Sequence, residues 1–309
     1  MAELTPMMKQ YMETKSQYQD CILFYRLGDF YEMFFDDALT ASRELEITLT
    51  GKNCGLEERA PMCGVPYHAV DSYLNRLVSK GYKVAICEQM EDPKMVKGLV
   101  KREVVRIVTP GTNLDTQALD ETKNNYIMCI VYIADRYGVS VADITTGDYF
   151  VTELPDSGKL MDEINRFMPS EIICNEAFYM SGMDLDDLKD RLGITIYSLD
   201  AWYFDDKLCK DKLLEHFRVS SFAGLGLADY DCGIISAGAL LQYLLETQKN
   251  DLSNLTHITP YATGKYMMLD SATRRNLELC ETLREKQKRG SLLWVLDKTR
   301  TAMGARTLR

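Results

Sequence analysis

The feature that most constrains this 309-residue chain is a change of hydrophobic period at residue 28. Cys21-Ile22-Leu23-Phe24-Tyr25-Arg26-Leu27 is short, apolar and closed by Gly28, the pattern of a buried strand. Beyond it Phe30, Phe34, Ala38, Ala41 and Leu45 recur at a spacing near 3.6, with Asp36, Asp37, Arg43 and Glu44 off the stripe. That spacing predicts an amphipathic helix over 29–45. Asp29 then serves as its N-cap, and Glu32 three residues later completes a capping box. Phe30 has two readings, a core side chain on the stripe or an aromatic protruding from the first turn. In the second, the ring is pushed between stacked bases while Glu32 hydrogen-bonds a base edge beside it. Periodicity by itself favours cap and core.

Around this segment the chain reads as three units of a mixed α/β protein. Residues 1–112 hold a helix at 6–18, the strand, the 29–45 helix and a strand at 46–50. A polar loop at 51–59, a helix at 69–80 and strands at 82–88 and 103–108 complete the unit. Residues 113–122 are polar and aperiodic, and read as a linker. Residues 123–256 begin with strands at 126–134 and 139–143, joined as a hairpin at Arg136-Tyr137-Gly138. A strand at 148–153, a helix at 159–167, a strand at 171–174 and a long helix at 232–249 follow. Hairpins followed by β-α-β units predict a mixed sheet with helices on its faces. Residues 257–309 hold a short strand at 265–269 and then basic amphipathic helices, the last running from Ser291 to Arg309. With no cap, Gly or Pro after it, the chain reads as a piece of a longer protein.

The net charge of −10 argues against a generic nucleic-acid binder, but it is unevenly spread. Residues 1–110 carry 14 basic and 16 acidic side chains, 111–260 carry 11 and 25, and 261–309 carry 11 and 5. The middle of the chain should therefore repel phosphate, whereas the two ends need not. Nine cysteines without a C-x-x-C pair read as neither a disulfide framework nor a zinc site. Cys21, Cys87, Cys129 and Cys174 sit in apolar runs, as buried thiols of a reducing compartment do. The N-terminus has no apolar core of a secretory signal, and the apolar stretch at 233–245 is too short to span a bilayer. A cytoplasmic protein without a membrane partner is expected. No G-x-x-x-x-G-K-[ST] occurs, so ATP hydrolysis is not expected of these residues.

Arg26-Leu27-Gly28-Asp29-Phe30-Tyr31-Glu32-Met33-Phe34 resembles the signature of the MutS family of DNA mismatch-repair proteins. Four further blocks follow the family order. They are Thr5-Pro6-Met7-Met8 with Gln10-Tyr11, and Pro61-Met62-Cys63-Gly64-Val65-Pro66-Tyr67-His68-Ala69. Then come Val84-Ala85-Ile86-Cys87-Glu88-Gln89 with Asp92-Pro93, and Arg106-Ile107-Val108-Thr109-Pro110-Gly111-Thr112. The similarity thins beyond, through Asp143-Ile144-Thr145-Thr146-Gly147-Asp148-Tyr149-Phe150 and Leu269-Asp270 to Arg275-Asn276-Leu277-Glu278. The resemblance implies a mismatch-recognition domain at 1–112, a ribonuclease-H-like connector at 123–256 and the start of an all-helical core at 257–309. It gives Phe30 the role of stacking on a mispaired base from the minor groove, and Glu32 that of hydrogen-bonding the base. Beside DNA phosphates a neutral carboxyl is favoured, so Glu32 is expected to bind partly protonated and to donate to a base nitrogen. The implied partners are duplex DNA with mismatches or small insertion loops, a second copy of the whole protein, and MutL through the connector. The family also implies a bacterial cytoplasmic protein, at the nucleoid during repair. No cofactor is expected for this stretch; ATP and magnesium belong to the family's C-terminal ATPase.

Weaker candidates surround this pair. Pro61 and Met62 fall in a stretch that reads as a rigid loop near the DNA backbone or as a packed turn. Lys94, Lys97, Lys101, Arg102 and Arg106 form a basic run suited to phosphates or to a solvated face. Tyr67 and His68 read as contacts or as a helix entry. Asp143 and Asp148 resemble nuclease carboxylates, and a metal-dependent nuclease needs about three or four that converge. A protein-docking role for the acidic middle unit is the third reading.

Overall fold

In the computed structural model residues 4–91, 98–115, 120–263 and 269–309 are described. The chain divides into two compact units, residues 1–113 with the short stretch 246–250, and residues 114–245 with 251–309.

The first unit contains α1 (Pro6–Gln17), β1 (Cys21–Leu27), β2 (Phe30–Phe34), α2 (Phe35–Leu45), β3 (Thr50–Lys52) and β4 (Ala60–Pro66). A 3-10 turn (Tyr67–Ala69), α3 (Val70–Val78), β5 (Lys83–Gln89) and β6 (Arg102–Val108) follow. The strands form one sheet in the order β3-β4-β2-β1-β5-β6, parallel only between β1 and β5. On one face Phe24, Tyr31 and Met33 pack beneath Leu45 of α2 and Leu74 and Leu77 of α3. On the other Leu23, Tyr25 and Phe34 pack beneath Met8 and Tyr11 of α1. Helix α1 starts where Thr5 accepts a hydrogen bond from the Met8 N–H, with Pro6 in the first turn.

The helix expected over 29–45 forms only from Phe35, and residues 30–34 are a strand. Gly28 and Asp29 make a two-residue hairpin turn in which Leu27 pairs with Phe30. Gly28 takes φ +60° at the first turn position, as a type II′ turn requires. The Asp29–Glu32 capping box does not form, and α2 begins without a side-chain cap. The misreading has a simple cause. A spacing of four is one helical turn, but it is also an even number, so Phe30 and Phe34 share a face in a strand as well. Ala38, Ala41 and Leu45 are the buried stripe of α2, as expected. Asp37, expected on the solvent side, is instead buried, accepting from the Leu23 N–H (3.0 Å), the Tyr11 hydroxyl (3.3 Å) and Lys15 Nζ (2.9 Å). Residues 61–66 are a central strand and not a loop, with their prolines near its ends, where a missing N–H disturbs the ladder least. The strand expected at 46–50 is displaced to Thr50–Lys52.

The second unit contains β7 (Ile127–Ile133), β8 (Arg136–Asp143), β9 (Asp148–Leu154), α4 (Ser157–Phe167), β10 (Glu171–Cys174), α5 (Glu176–Tyr179) and α6 (Leu185–Leu192). Then come β11 (Thr195–Ser198), α7 (Asp206–Phe217), α8 (Cys232–Gln248), β12 (Thr259–Pro260), α9 (Ser271–Asn276), α10 (Leu292–Leu296) and α11 (Ala302–Leu308). Its mixed sheet runs β11-β10-β7-β8-β9-β12. Side chains of α4, α5 and α6 cover one face and those of α7 and α8 the other. The β7–β8 turn is Ala134-Asp135, both at positive φ as in a type I′ turn, and not Arg136-Tyr137-Gly138. Gly138 lies inside β8 directly under α8, where a Cβ would fall 2.1 Å from the Cys232 carbonyl oxygen. The helix expected from 291 to 309 is broken. Asp297 accepts from the Thr299 N–H and hydroxyl, a turn that competes with the helix, and Thr301 caps a new one at the Gly304 N–H. The expected strand at 265–269 lies, apart from Leu269, outside the described residues.

Two predictions follow from this packing. Gly138→Ala should lower unfolding stability by about 3 kcal/mol or more, because backbone faces the added methyl; a urea midpoint equal to that of the unsubstituted chain contradicts the β8–α8 contact. Eight cysteines are buried and only Cys280 is partly exposed. Burial pushes the Cys21, Cys63, Cys87, Cys174, Cys209 and Cys232 thiols up to about 12. A neutral-pH alkylating reagent should therefore modify Cys280 first in the native chain and the other eight only on unfolding. Early modification of Cys63 or Cys129, read by peptide mass, contradicts that order.

Candidate nucleic-acid interface

Strand β2 carries one row of side chains from core to solvent. Phe34, Glu32 and Phe30 share a face; Phe34 is buried against Tyr11 (4.9 Å between ring centroids), Glu32 is half-buried, and Phe30 is 47% exposed. The gradient arises because the α1 side chains cover the Phe34 end of this face, while Phe30 sits beside the hairpin turn, opposite Leu27 and Pro66. Gly64 pairs with Glu32, and a Cβ there would lie 3.5 Å from Glu32 Cγ and 3.8 Å from Phe30 Cδ1. Both are ordinary contact distances, and the tighter approach is to the Tyr31 carbonyl oxygen at 3.3 Å.

Glu32 has a partner that sequence reasoning missed. Lys52 Nζ lies 2.5 Å from a Glu32 carboxylate oxygen and 5.6 Å from the Phe34 ring centroid. Lys52 is on β3, joined to β2 only through β4, so nothing local in the sequence announces the pair. On the reverse face Tyr31 donates to the Glu88 carboxylate, and burial followed by that bond pushes its hydroxyl well above its ordinary range. The Tyr25 hydroxyl donates to Gln10 (2.7 Å), and burial pushes it up to about 12. At the hairpin tip the Tyr67 N–H donates to the Asp29 carbonyl (2.9 Å), which brings Tyr67, 44% exposed, next to the turn beside Phe30.

The weaker candidates scatter. Met62 pairs with Phe34, at the end of β2 away from Phe30, and both Pro61 and Met62 are half-buried. Arg102 is a strut; it donates to the Arg26 carbonyl (2.8 Å), the Val100 carbonyl (3.0 Å) and Gln10 (3.1 Å). Lys101 is exposed and paired with Glu103 at 2.6 Å. Arg106 is half-buried on β6, and Lys94 and Lys97 lie outside the described residues. His68 is exposed in the 3-10 turn, and α3 then starts without a side-chain cap.

In the second unit Asp143 and Asp148 do face each other across β8 and β9. Asp143 is buried, and its two oxygens accept from the Asn125 and Thr145 N–H groups, the Thr145 hydroxyl and Asn124. Asp148 accepts from Asn124 and the Thr146 hydroxyl. These bonds give both carboxylates a structural use, and among the described residues no three His, Cys, Asp or Glu side chains are grouped to hold a metal. A groove of about 420 Å³ is lined by Asp162, Arg166, Arg274 and Arg309 with apolar side chains such as Leu293 and Leu308.

Three family models match successive stretches of the chain. Residues 5–117 match the family model of MutS domain I, 125–259 that of MutS domain II, and 272–309 that of MutS domain III. The chain is 66% identical over 309 residues to the DNA mismatch repair protein MutS of Lachnoclostridium phytofermentans, covering 100% of this chain and 33% of that protein. It is 55% identical over 312 residues to that of Acetivibrio thermocellus (100% and 36%) and 51% over 310 residues to that of Clostridium tetani (99% and 34%). The chain thus spans about a third of the length of these curated relatives. With nearly every residue inside one of three successive domains of a single family, the chain belongs to the MutS family of DNA mismatch-repair proteins.

Proposed function

We propose that the first unit binds mismatched duplex DNA, with Phe30 as a wedge entering the base stack from the minor groove. The observation that carries this reading is a large ring, 47% exposed, on a strand whose neighbours on the same face lead into the core. Unstacking costs a few kcal/mol per step and less where pairing is already defective, so a rigid wedge selects sites that kink easily without reading sequence. Phenylalanine suits the task because no polar atom is left without a partner inside the stack. Glu32 stands two residues along the same face, placed to meet the displaced base. On leaving Lys52 the carboxylate takes up a proton from solvent and donates it in a hydrogen bond to a base nitrogen. No cofactor enters this step. With no phosphate-loop motif in the 309 residues, the role is recognition and not hydrolysis.

The second unit is assigned a docking role. The acidic balance of residues 111–260, 25 acidic against 11 basic side chains, suits a protein partner such as MutL better than DNA. Action as a homodimer at the bacterial nucleoid belongs to the same reading.

The test is affinity for a duplex with a G·T pair or one unpaired T, against the matched duplex, at fixed salt. The chain should prefer the defective duplex, and Phe30→Ala should bind both equally. Glu32→Gln, which keeps a donor, should retain most of the preference. Equal affinity for both duplexes at every salt concentration overturns recognition by this unit, and loss of preference in Glu32→Gln overturns the protonated donor.

A further inference from the structure

We infer that Arg26 braces the hairpin tip from the face opposite Phe30, and so sets how far the ring resists being pushed back. The inference rests on the wedge reading above. Arg26 pairs with Tyr31 in the β1–β2 register, which puts its side chain on the reverse face of the tip. Three groups of the guanidinium plane are committed there. Its Nε donates to the Gly28 carbonyl of the turn (2.5 Å), and its carbon lies 4.0 Å from the Tyr67 ring centroid. Its Nη1 is 3.8 Å from Glu88, the carboxylate that accepts from the Tyr31 hydroxyl. The side chain is only 17% exposed, so it is not an open phosphate-binding cation. One residue thereby ties the turn to the segment after β4 and to β5.

The mechanical argument is direct. A two-residue turn is the end of its ladder, where strands fray most easily. Inserting Phe30 between bases loads that tip with the cost of unstacking, and a loose tip yields before the bases do. Arginine meets the need because its planar fork donates along the plane while its face stacks on an aromatic ring, which a lysine ammonium does not do.

The test combines two readouts. In the chain without DNA, Arg26→Lys and Tyr67→Leu should speed hydrogen exchange of the Tyr67 amide, which bonds to Asp29, by about tenfold, and Tyr67→Phe should not. With DNA, Arg26→Lys should lower the G·T-to-matched affinity ratio by about tenfold and leave matched-duplex affinity and its salt slope unchanged. In a Phe30→Ala background it should change the ratio no further. Unaltered Tyr67 exchange overturns the brace whatever happens with DNA. Weaker matched-duplex binding with a shallower salt slope also overturns it, and makes Arg26 a phosphate contact. If Phe30→Ala leaves the ratio unchanged, the wedge reading fails, and the exchange result still decides the brace.

Discussion

The arrangement at the hairpin depends on the parity of one five-residue strand. Side chains two and four apart on β2 must share a face, so burying Phe34 beneath Tyr11 commits Glu32 and Phe30 to the same side. Four residues of extended chain put Phe30 about 13 Å from Phe34, at the end of the face that the α1 core leaves open. A helix with the same sequence would lay both rings on one stripe, about 6 Å apart, and bury them together. Gly28 at positive φ closes the turn beside Phe30. The aromatic is thus held out by the element that anchors its neighbour, and its position does not rely on a mobile loop.

Much of this fold was legible because it is written in local runs. The β1 strand, the apolar strands of the β7–β8 hairpin, the α4 amphipathic pattern and α8 all lie close to where period and punctuation put them. The failures at 30–34, at Asp37 and at 61–66 share a physical cause, which is competition between local signals and partners distant in sequence. Residues 30–34 pair with β1 and β4, and that ladder outweighs a helical spacing that fits either structure. Asp37 fits a solvated helix face until Lys15, Tyr11 and the Leu23 amide converge on it. The proline-flanked 61–66 stretch takes its strand identity from β2 and β3 on its two sides. At the proposed site, Phe30 and Glu32 were singled out by resemblance to family blocks and not by spacing, and neither pointed to Lys52 or to the Arg26 contacts.

Charge is unevenly spread along the chain. Residues 1–110 are nearly balanced while residues 111–260 are strongly acidic, so the second stretch is the less hospitable to a polyanion. The acidic pair at Asp143 and Asp148 shows how misleading composition is without geometry. Both oxygens of Asp143 and one of Asp148 accept from nearby N–H and hydroxyl donors, and the two residues flank the turn between β8 and β9.

The central claim is that Phe30 enters a weakened base stack, and base stacking itself can be observed. A 2-aminopurine placed beside a G·T pair is quenched while stacked. At concentrations that saturate binding, the chain should raise its fluorescence several-fold. Phe30→Ala, saturated equally, should leave it near the value of free DNA. An equal rise with both proteins, or none with either, contradicts insertion of Phe30 into the stack.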